Sequence, residues 1–153
     1  MKLVFAMLSI VLIGTVGVNS YGQNESSKFL YGKWAVVHTD KSKAFSQEVL
    51  EDVKELAPAN SSSNFNNQVY SFNANGDFHL SSIKDYSQGD ENGTYVFDLE
   101  TKQISRTIQY PNHLKARAKK KVRKIKNTVL YFEANYLVLK SKKGTLYLHR
   151  IGG

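Results

Sequence analysis

The residues best suited to bind another molecule are the basic residues of segment 113–126, where eight of fourteen positions are Lys or Arg and none is acidic. They are Lys115, Arg117, Lys119, Lys120, Lys121, Arg123, Lys124 and Lys126. Such a cluster attracts anionic groups through its charge and through counterion release. The favoured interpretation is a solvated basic face without a specific partner. The alternative is a surface that binds anionic glycans or lipopolysaccharide at the envelope or outside the cell.

Residues that would support catalysis or metal binding are scattered. The four histidines, His38, His79, His113 and His149, are far apart and lack metal-ligand spacing. Cysteine is absent, which excludes a thiolate nucleophile and disulfides. The chain contains no Gly-x-Ser-x-Gly elbow, no glycine-rich phosphate loop and no pair of catalytic carboxylates. We therefore predict a protein that is not an enzyme and has neither a metal site nor a cofactor.

Residues 1–22 are predicted to be a cleaved signal peptide. Lys2 is followed by an apolar run from Leu3 to Val18, which is shorter than a membrane-spanning helix. Ser20 and Gly22 are small residues suited to cleavage before residue 23. We expect export to the periplasm or the medium, with no membrane span after cleavage; a permanent N-terminal anchor is the alternative. Because there is no cysteine, lipid modification there is excluded.

Residues 23–153 are long enough for one domain, which we expect to be monomeric. The full chain has a formal net charge of +8, which equals the charge of the basic segment alone, so the charges of the rest of the chain balance. Segment 113–126 also lacks the aromatic residues on which nucleic-acid bases stack. Together with export, this means that nucleic acid is not an expected partner.

Residues 23–28 are expected to form a flexible leader.

Alternating apolar and polar residues predict about eight strands after this leader. The first strand spans Phe29–His38, with Trp34, Val36 and His38 on one face. The corresponding apolar positions on later strands are Tyr70, Phe72, Phe78, Leu80, Tyr95, Phe97, Ile104, Ile108, Leu137, Leu139, Leu146 and Leu148. The basic segment is expected to pass from a loop into a strand at about Lys120. Gly76 is expected to adopt positive φ in a hairpin turn.

One amphipathic helix is predicted over residues 44–57. Phe45, Val49, Val53 and Leu56 recur at helical spacing, Ser42 or Ser46 is positioned to cap the helix, and Pro58 ends it.

Short connections between strands imply antiparallel neighbours, and eight such strands can close into an up-and-down barrel. A two-sheet sandwich is the competing architecture. It requires long crossover connections, and only segments 38–68 and 110–121 are long enough. The barrel, with one α-helix between its first two strands, is therefore the favoured fold.

Several short motifs resemble those of lipocalins. Gly32-Lys33-Trp34 resembles the Gly-x-Trp signature of the first strand, and Arg150 matches the arginine that crosses that tryptophan from the last strand. Segment 70–78 and the residues Gly93-Thr-Tyr95 are similar to segments of exported lipocalin-like domains of Bacteroidetes. The resemblance, to the calycin superfamily, covers most of residues 29–151. It implies that Gly32, Trp34 and Arg150 form a structural base for the barrel.

The resemblance also implies a small hydrophobic ligand inside the barrel. Its lining would be largely aromatic and apolar, and we expect it to include Val36, His38, Tyr70, Phe72, Phe78, Tyr95 and Phe97. The same residues suit a packed core, so a hollow and a filled barrel both remain open. The helix would either cover the barrel opening as a lid or pack permanently against the wall.

Overall fold

The computed structural model describes residues 25–56, 68–82, 91–109 and 122–152. A short 3-10 helix (Glu25–Leu30) comes first, and one α-helix, α1 (Gln47–Leu56), follows the first strand. The strands are β1 (Gly32–Asp40), β2 (Gln68–Phe72), β3 (Asp77–Ser82), β4 (Glu91–Asp98), β5 (Gln103–Gln109), β6 (Val122–Glu133), β7 (Tyr136–Lys140) and β8 (Thr145–Gly152). The predicted signal peptide, residues 1–22, lies outside the described residues.

The eight strands form a closed barrel in which each strand pairs antiparallel with the next, and β8 pairs with β1. Trp34 lies opposite Arg150, and Val36 lies opposite Leu148. The predicted up-and-down barrel is confirmed, and the sandwich alternative is wrong. The strand expected from about Lys120 is continuous with the next predicted one, so that β6 extends from Val122 to Glu133.

The two ends of the barrel differ. At the end that we call the base, β1 begins and the 3-10 helix lies against it. At the opposite end, which we call the rim, β1, β3 and β5 end and β2, β4 and β6 begin. Segments 57–67, 83–90 and 110–121 lie outside the described residues. Gly76, in the β2–β3 turn at the base, has the predicted positive φ of 90°.

The barrel interior is lined by apolar and aromatic side chains, as the alternation predicted. Its buried members are Leu30, Trp34, Val36, Tyr70, Phe72, Phe78, Tyr95, Ile104, Ile108, Val129, Leu137, Leu139 and Leu148. Leu80, Phe97 and Leu146, which were also predicted to face inward, pack against this cluster and are partly buried.

His38 is the exception, and its predicted inward position is wrong. A β-bulge between Val36 and His38 adds one residue to β1, so that His38 lies opposite Tyr147 on the outer face. Its ring centroid is 5.7 Å from that of Tyr147, and its side chain is exposed. Thr39 instead takes the register position opposite the inward-facing Leu146.

The flexible leader is a second correction. Residues 25–28 belong to the 3-10 helix, and β1 begins at Gly32 rather than Phe29. Ser27 is buried, and Leu30 is fully buried inside the barrel. Trp34 Nε1 donates a hydrogen bond of 2.7 Å to the Leu30 carbonyl oxygen. These contacts make the segment part of the barrel base.

Helix α1 packs on the outer wall of the barrel. Leu50 and Val53 are buried against Val138 and Tyr147, which occupy outward positions on β7 and β8. The helix begins at Gln47, later than predicted, and Ser46 caps it by accepting a hydrogen bond from the Val49 amide at 3.3 Å. Of the two predicted arrangements, the described helix therefore has the wall position and not that of a lid.

The helix offers two leucines for a matched test of this packing. Leu50 is completely buried, whereas Leu56, which was predicted to join the apolar stripe, is 57% exposed. We expect Leu50→Ala to lower the free energy of unfolding by about 2–5 kcal/mol, because it leaves a cavity between helix and wall. Leu56→Ala should change it by no more than about 0.5 kcal/mol. Urea unfolding measures both, and equal effects would contradict the wall position.

Candidate functional site

The base of the barrel is built around Trp34 and Arg150, as the resemblance implied. The guanidinium carbon of Arg150 lies 4.2 Å from the centre of the Trp34 ring system, within the range of a cation–π contact. The side chain of Trp34 is fully buried. Gly32, where the chain leaves the 3-10 helix, has a φ of 114°, a conformation that favours glycine.

Every nitrogen of the Arg150 guanidinium donates to a backbone carbonyl. Nε donates to Ala134 at 3.0 Å, Nη2 donates to Phe29 at 2.7 Å, and Nη1 donates to Tyr31. The arginine thus joins the 3-10 helix, the start of β1 and the β6–β7 turn. All three nitrogens of the Arg150 guanidinium are thus used in hydrogen bonds within the fold.

Above the base, the aromatic residues predicted to bind a ligand contact one another. Ring centroids of Phe72 and Tyr95 are 4.9 Å apart, those of Phe72 and Phe78 are 5.4 Å apart, and those of Tyr70 and Phe78 are 5.9 Å apart. Val36 is also buried in this cluster, whereas Phe97 is partly buried and contacts Phe29. This part of the interior is filled by its own side chains.

Arg106, which was not among the predicted site residues, lies inside the barrel. Its side chain is only 4% exposed, and it lies on β5 between the inward-facing Ile104 and Ile108. The guanidinium carbon is 5.0 Å from the ring centre of Tyr70 and 4.7 Å from that of Phe78. The signal was present in the sequence, because Arg106 has the same strand parity as the two isoleucines.

The hydrogen bonding of Arg106 is incomplete. Nη2 donates to Asn127 Oδ1 at 2.8 Å, and the Tyr70 hydroxyl is a further hydrogen-bonding partner of the guanidinium, but Nε and Nη1 are buried and have no acceptor. Burial lowers the pKa of Arg106, and burial likewise raises the pKa of Tyr70, an effect that the positive charge of Arg106 opposes. Buried N–H groups are nearly always paired, so this arginine is unusual.

Two further charged residues face inward nearer the rim. Glu91 lies opposite the inward-facing Leu80, and Arg123 lies opposite the inward-facing Ile108. Arg123 Nη1 and Glu91 Oε1 are 3.3 Å apart, and the two side chains are 52% and 21% exposed. This ion pair bridges β4 and β6 across β5 at the rim.

The basic segment does not form one face where the structure describes it. Arg123 faces inward and pairs with Glu91, whereas Lys124 and Lys126, whose strand parity is opposite, are exposed on the outer side of β6. The other predicted anion-binding residues, Lys115, Arg117, Lys119, Lys120 and Lys121, lie outside the described residues.

Neither metal ligation nor membrane spanning has support within the described ranges. No three His, Asp or Glu side chains there converge on a point that would suit a metal ion. Similarly, no helix in residues 25–56, 68–82, 91–109 and 122–152 has the length and apolar character needed to cross a bilayer.

Comparison with known proteins identifies the fold. No protein-family model and no curated protein matches the chain. Among solved structures, a lipocalin-like protein from Bacteroides uniformis matches with a TM-score of 0.50 and 16% identity, over 80% of this chain and 99% of that one. The chain has a lipocalin-like fold.

Two other solved structures are similar to this lipocalin-like barrel. An uncharacterized protein from Bacteroides eggerthii matches with a TM-score of 0.48 and 13% identity, over 80% of this chain and 99% of that chain. A DUF4847 family protein from Bacteroides vulgatus matches with a TM-score of 0.45 and 15% identity, over 83% and 96% of the respective chains.

The two inward-facing arginines of the lipocalin-like barrel should differ in their effect on stability. Arg150→Met should lower the free energy of unfolding by about 2–3 kcal/mol, because it removes charged hydrogen bonds to three carbonyl groups. Arg106→Met should change it by no more than about 1 kcal/mol, because a buried and incompletely paired charge is replaced by an apolar side chain. Chemical denaturation of both variants and of the unsubstituted protein measures the two changes in the free energy of unfolding. If both substitutions are equally damaging, Arg106 is a structural residue like Arg150.

Proposed function

We propose that this protein binds a small apolar or amphipathic molecule in the part of the barrel interior nearest the rim. The observation that best supports this proposal is a group of inward-facing apolar side chains that are only partly buried, namely Leu80, Ile125 and Leu146. We call these three residues the rim-side lining. Small eight-stranded barrels either fill with side chains or hold one small ligand, and incomplete burial here favours the second arrangement.

The closed base supports a single direction of access. The 3-10 helix and the hydrogen bonds of Arg150 cover the end next to Trp34. Helix α1 lies on the outer wall, where Leu50 and Val53 pack against β7 and β8. A ligand would therefore reach the rim-side lining from the rim, past the Glu91–Arg123 ion pair.

We further propose that the protein acts by binding alone and that it functions outside the cytoplasm, as a periplasmic or secreted monomer. The proposal of export rests on the sequence pattern of residues 1–22, and the absence of catalytic motifs supports a role without chemistry. A carrier or scavenger of a small molecule fits both features.

Binding of anionic glycans or lipopolysaccharide is a second candidate function. It is supported by the exposed side chains of Lys124 and Lys126, which continue the basic run on the outer face of β6. Salt-sensitive retention on heparin, reduced in a Lys124→Ser, Lys126→Ser double variant, would support this function. Retention that is independent of salt would contradict it.

A neutral fluorescent dye provides the main test of interior binding. We expect N-phenyl-1-naphthylamine to gain fluorescence on binding, and Leu80→Trp to weaken that binding at least tenfold by filling the space beside the rim-side lining. Val96→Trp is the matched control, because Val96 is 56% exposed and has the opposite strand parity from the inward-facing Tyr95. It should leave the affinity unchanged.

The dye experiment has clear contrary results. An absence of dye binding by the unsubstituted protein, or equal loss of affinity in both tryptophan variants, would contradict an interior site. Circular dichroism and urea unfolding establish that both variants are folded. Native mass spectrometry of the protein purified from its own host would, in addition, detect a molecule that remains bound.

A further inference from the structure

We propose that the ligand carries a single carboxylate, which binds Arg106 inside the barrel while its apolar part contacts the rim-side lining. This inference rests on the proposed function, because it names the class of molecule held at that same site. The observations that carry it are the burial of Arg106, its incomplete hydrogen bonding and the balance of charge around it.

The first observation is that Arg106 has buried donors without acceptors. Nε and Nη1 are inaccessible to solvent and unbonded, and Asn127 accepts from Nη2 alone. Transfer of such groups from water is unfavourable unless an acceptor replaces the lost hydration. A carboxylate is the acceptor that guanidinium groups bind best, through charge-assisted hydrogen bonds.

The second observation is that Arg106 occupies an otherwise apolar stretch of inward positions on β5. The neighbouring inward positions on β5 hold Ile104 and Ile108, both of which are fully buried. Arg150 illustrates a structural arginine in the same barrel, since all of its nitrogens donate to carbonyl groups. Arg106 lacks such a role, which points to an acceptor supplied by another molecule.

The third observation is the position of the guanidinium beside two aromatic rings. Its carbon lies 5.0 Å from the ring centre of Tyr70 and 4.7 Å from that of Phe78. Both distances are within the range of a cation–π contact, so the two rings hold the guanidinium at this position inside the barrel. A carboxylate matches the fork of N–H donors that a guanidinium presents.

The balance of charge indicates how many negative charges the ligand carries. Among the described residues that face inward between Arg106 and the rim, Glu91 and Arg123 form an ion pair and compensate each other. Glu91 also interacts favourably with Arg106, and these three side chains together carry one net positive charge. One carboxylate neutralises it, whereas a doubly charged phosphate would leave an excess negative charge beside Glu91.

The inferred binding mode follows from these positions. On β5, Arg106 lies farther from the rim than Ile108, and Ile125 lies directly opposite Arg106 on β6. The carboxylate would therefore enter first and the apolar part would follow, in contact with Leu80, Ile125 and Leu146. An amphipathic monocarboxylate, such as a short fatty acid, has this arrangement of groups.

Decanoate and its uncharged analogue decanol test the inference by isothermal titration calorimetry. The unsubstituted protein should bind decanoate at least tenfold more tightly than decanol. Arg106→Met should weaken decanoate binding at least tenfold and change decanol binding by less than twofold. Arg106→Lys, which keeps the charge, should retain part of the preference for decanoate. Lys124→Met is the matched control, because it removes one positive charge from the outer face of β6.

Failure of the inference is distinguishable from failure of the proposed function. If decanol and decanoate bind equally, or if Arg106→Met keeps the preference for decanoate, the carboxylate inference is overturned while interior binding stands. If Lys124→Met weakens decanoate binding as much as Arg106→Met, general surface charge explains the preference and the inference is again overturned. If neither compound binds and the neutral dye does not bind either, interior binding itself is overturned.

Discussion

Hydrogen bonding between the first and last strands closes the sheet, and β1 pairs with β8 from Lys33–Gly152 at the base to Asp40–Thr145 at the rim. Closure leaves no unpaired strand edge, and it turns one face of every strand toward a common interior. Trp34, Val36 and Leu148 thereby meet aromatic residues from strands that are distant in the chain. The base also depends on closure, because it brings Arg150 onto Trp34.

A closed barrel of this size has a small interior, and its side chains are not evenly arranged. Near the base and in the middle, Trp34, Phe72, Phe78 and Tyr95 are almost completely buried. The rim-side lining is less buried, and the charged side chain of Arg106 lies opposite one of its members, Ile125. Helix α1 contributes to this difference, since its apolar side chains cover outward residues of β7 and β8 instead of those inside. The interior is thus tightly packed near the base and in the middle, and its apolar side chains are less completely buried near the rim.

Much of the barrel is predictable from period-two alternation, which correctly assigned Tyr70, Phe72 and Tyr95 to the interior. The same rule failed at His38, because a bulge changes the parity of β1 and the sequence carries no clear signal for it. It also did not assign Arg106 to the interior, because alternation identifies inward positions by apolar residue types and Arg106 is charged. Whether an inward arginine has acceptors depends on three-dimensional contacts that alternation does not contain.

The central claim is that an acceptor from outside the chain completes the hydrogen bonding of Arg106. A crystal structure of the protein purified from its own host, without added ligand, examines that contact directly. We expect electron density for a small molecule inside the barrel, with an oxygen roughly 3 Å from Arg106 Nε or Nη1 and an apolar part beside Leu80 and Ile125. An interior filled by the protein's own side chains, with both nitrogens bonded to protein acceptors, would contradict it.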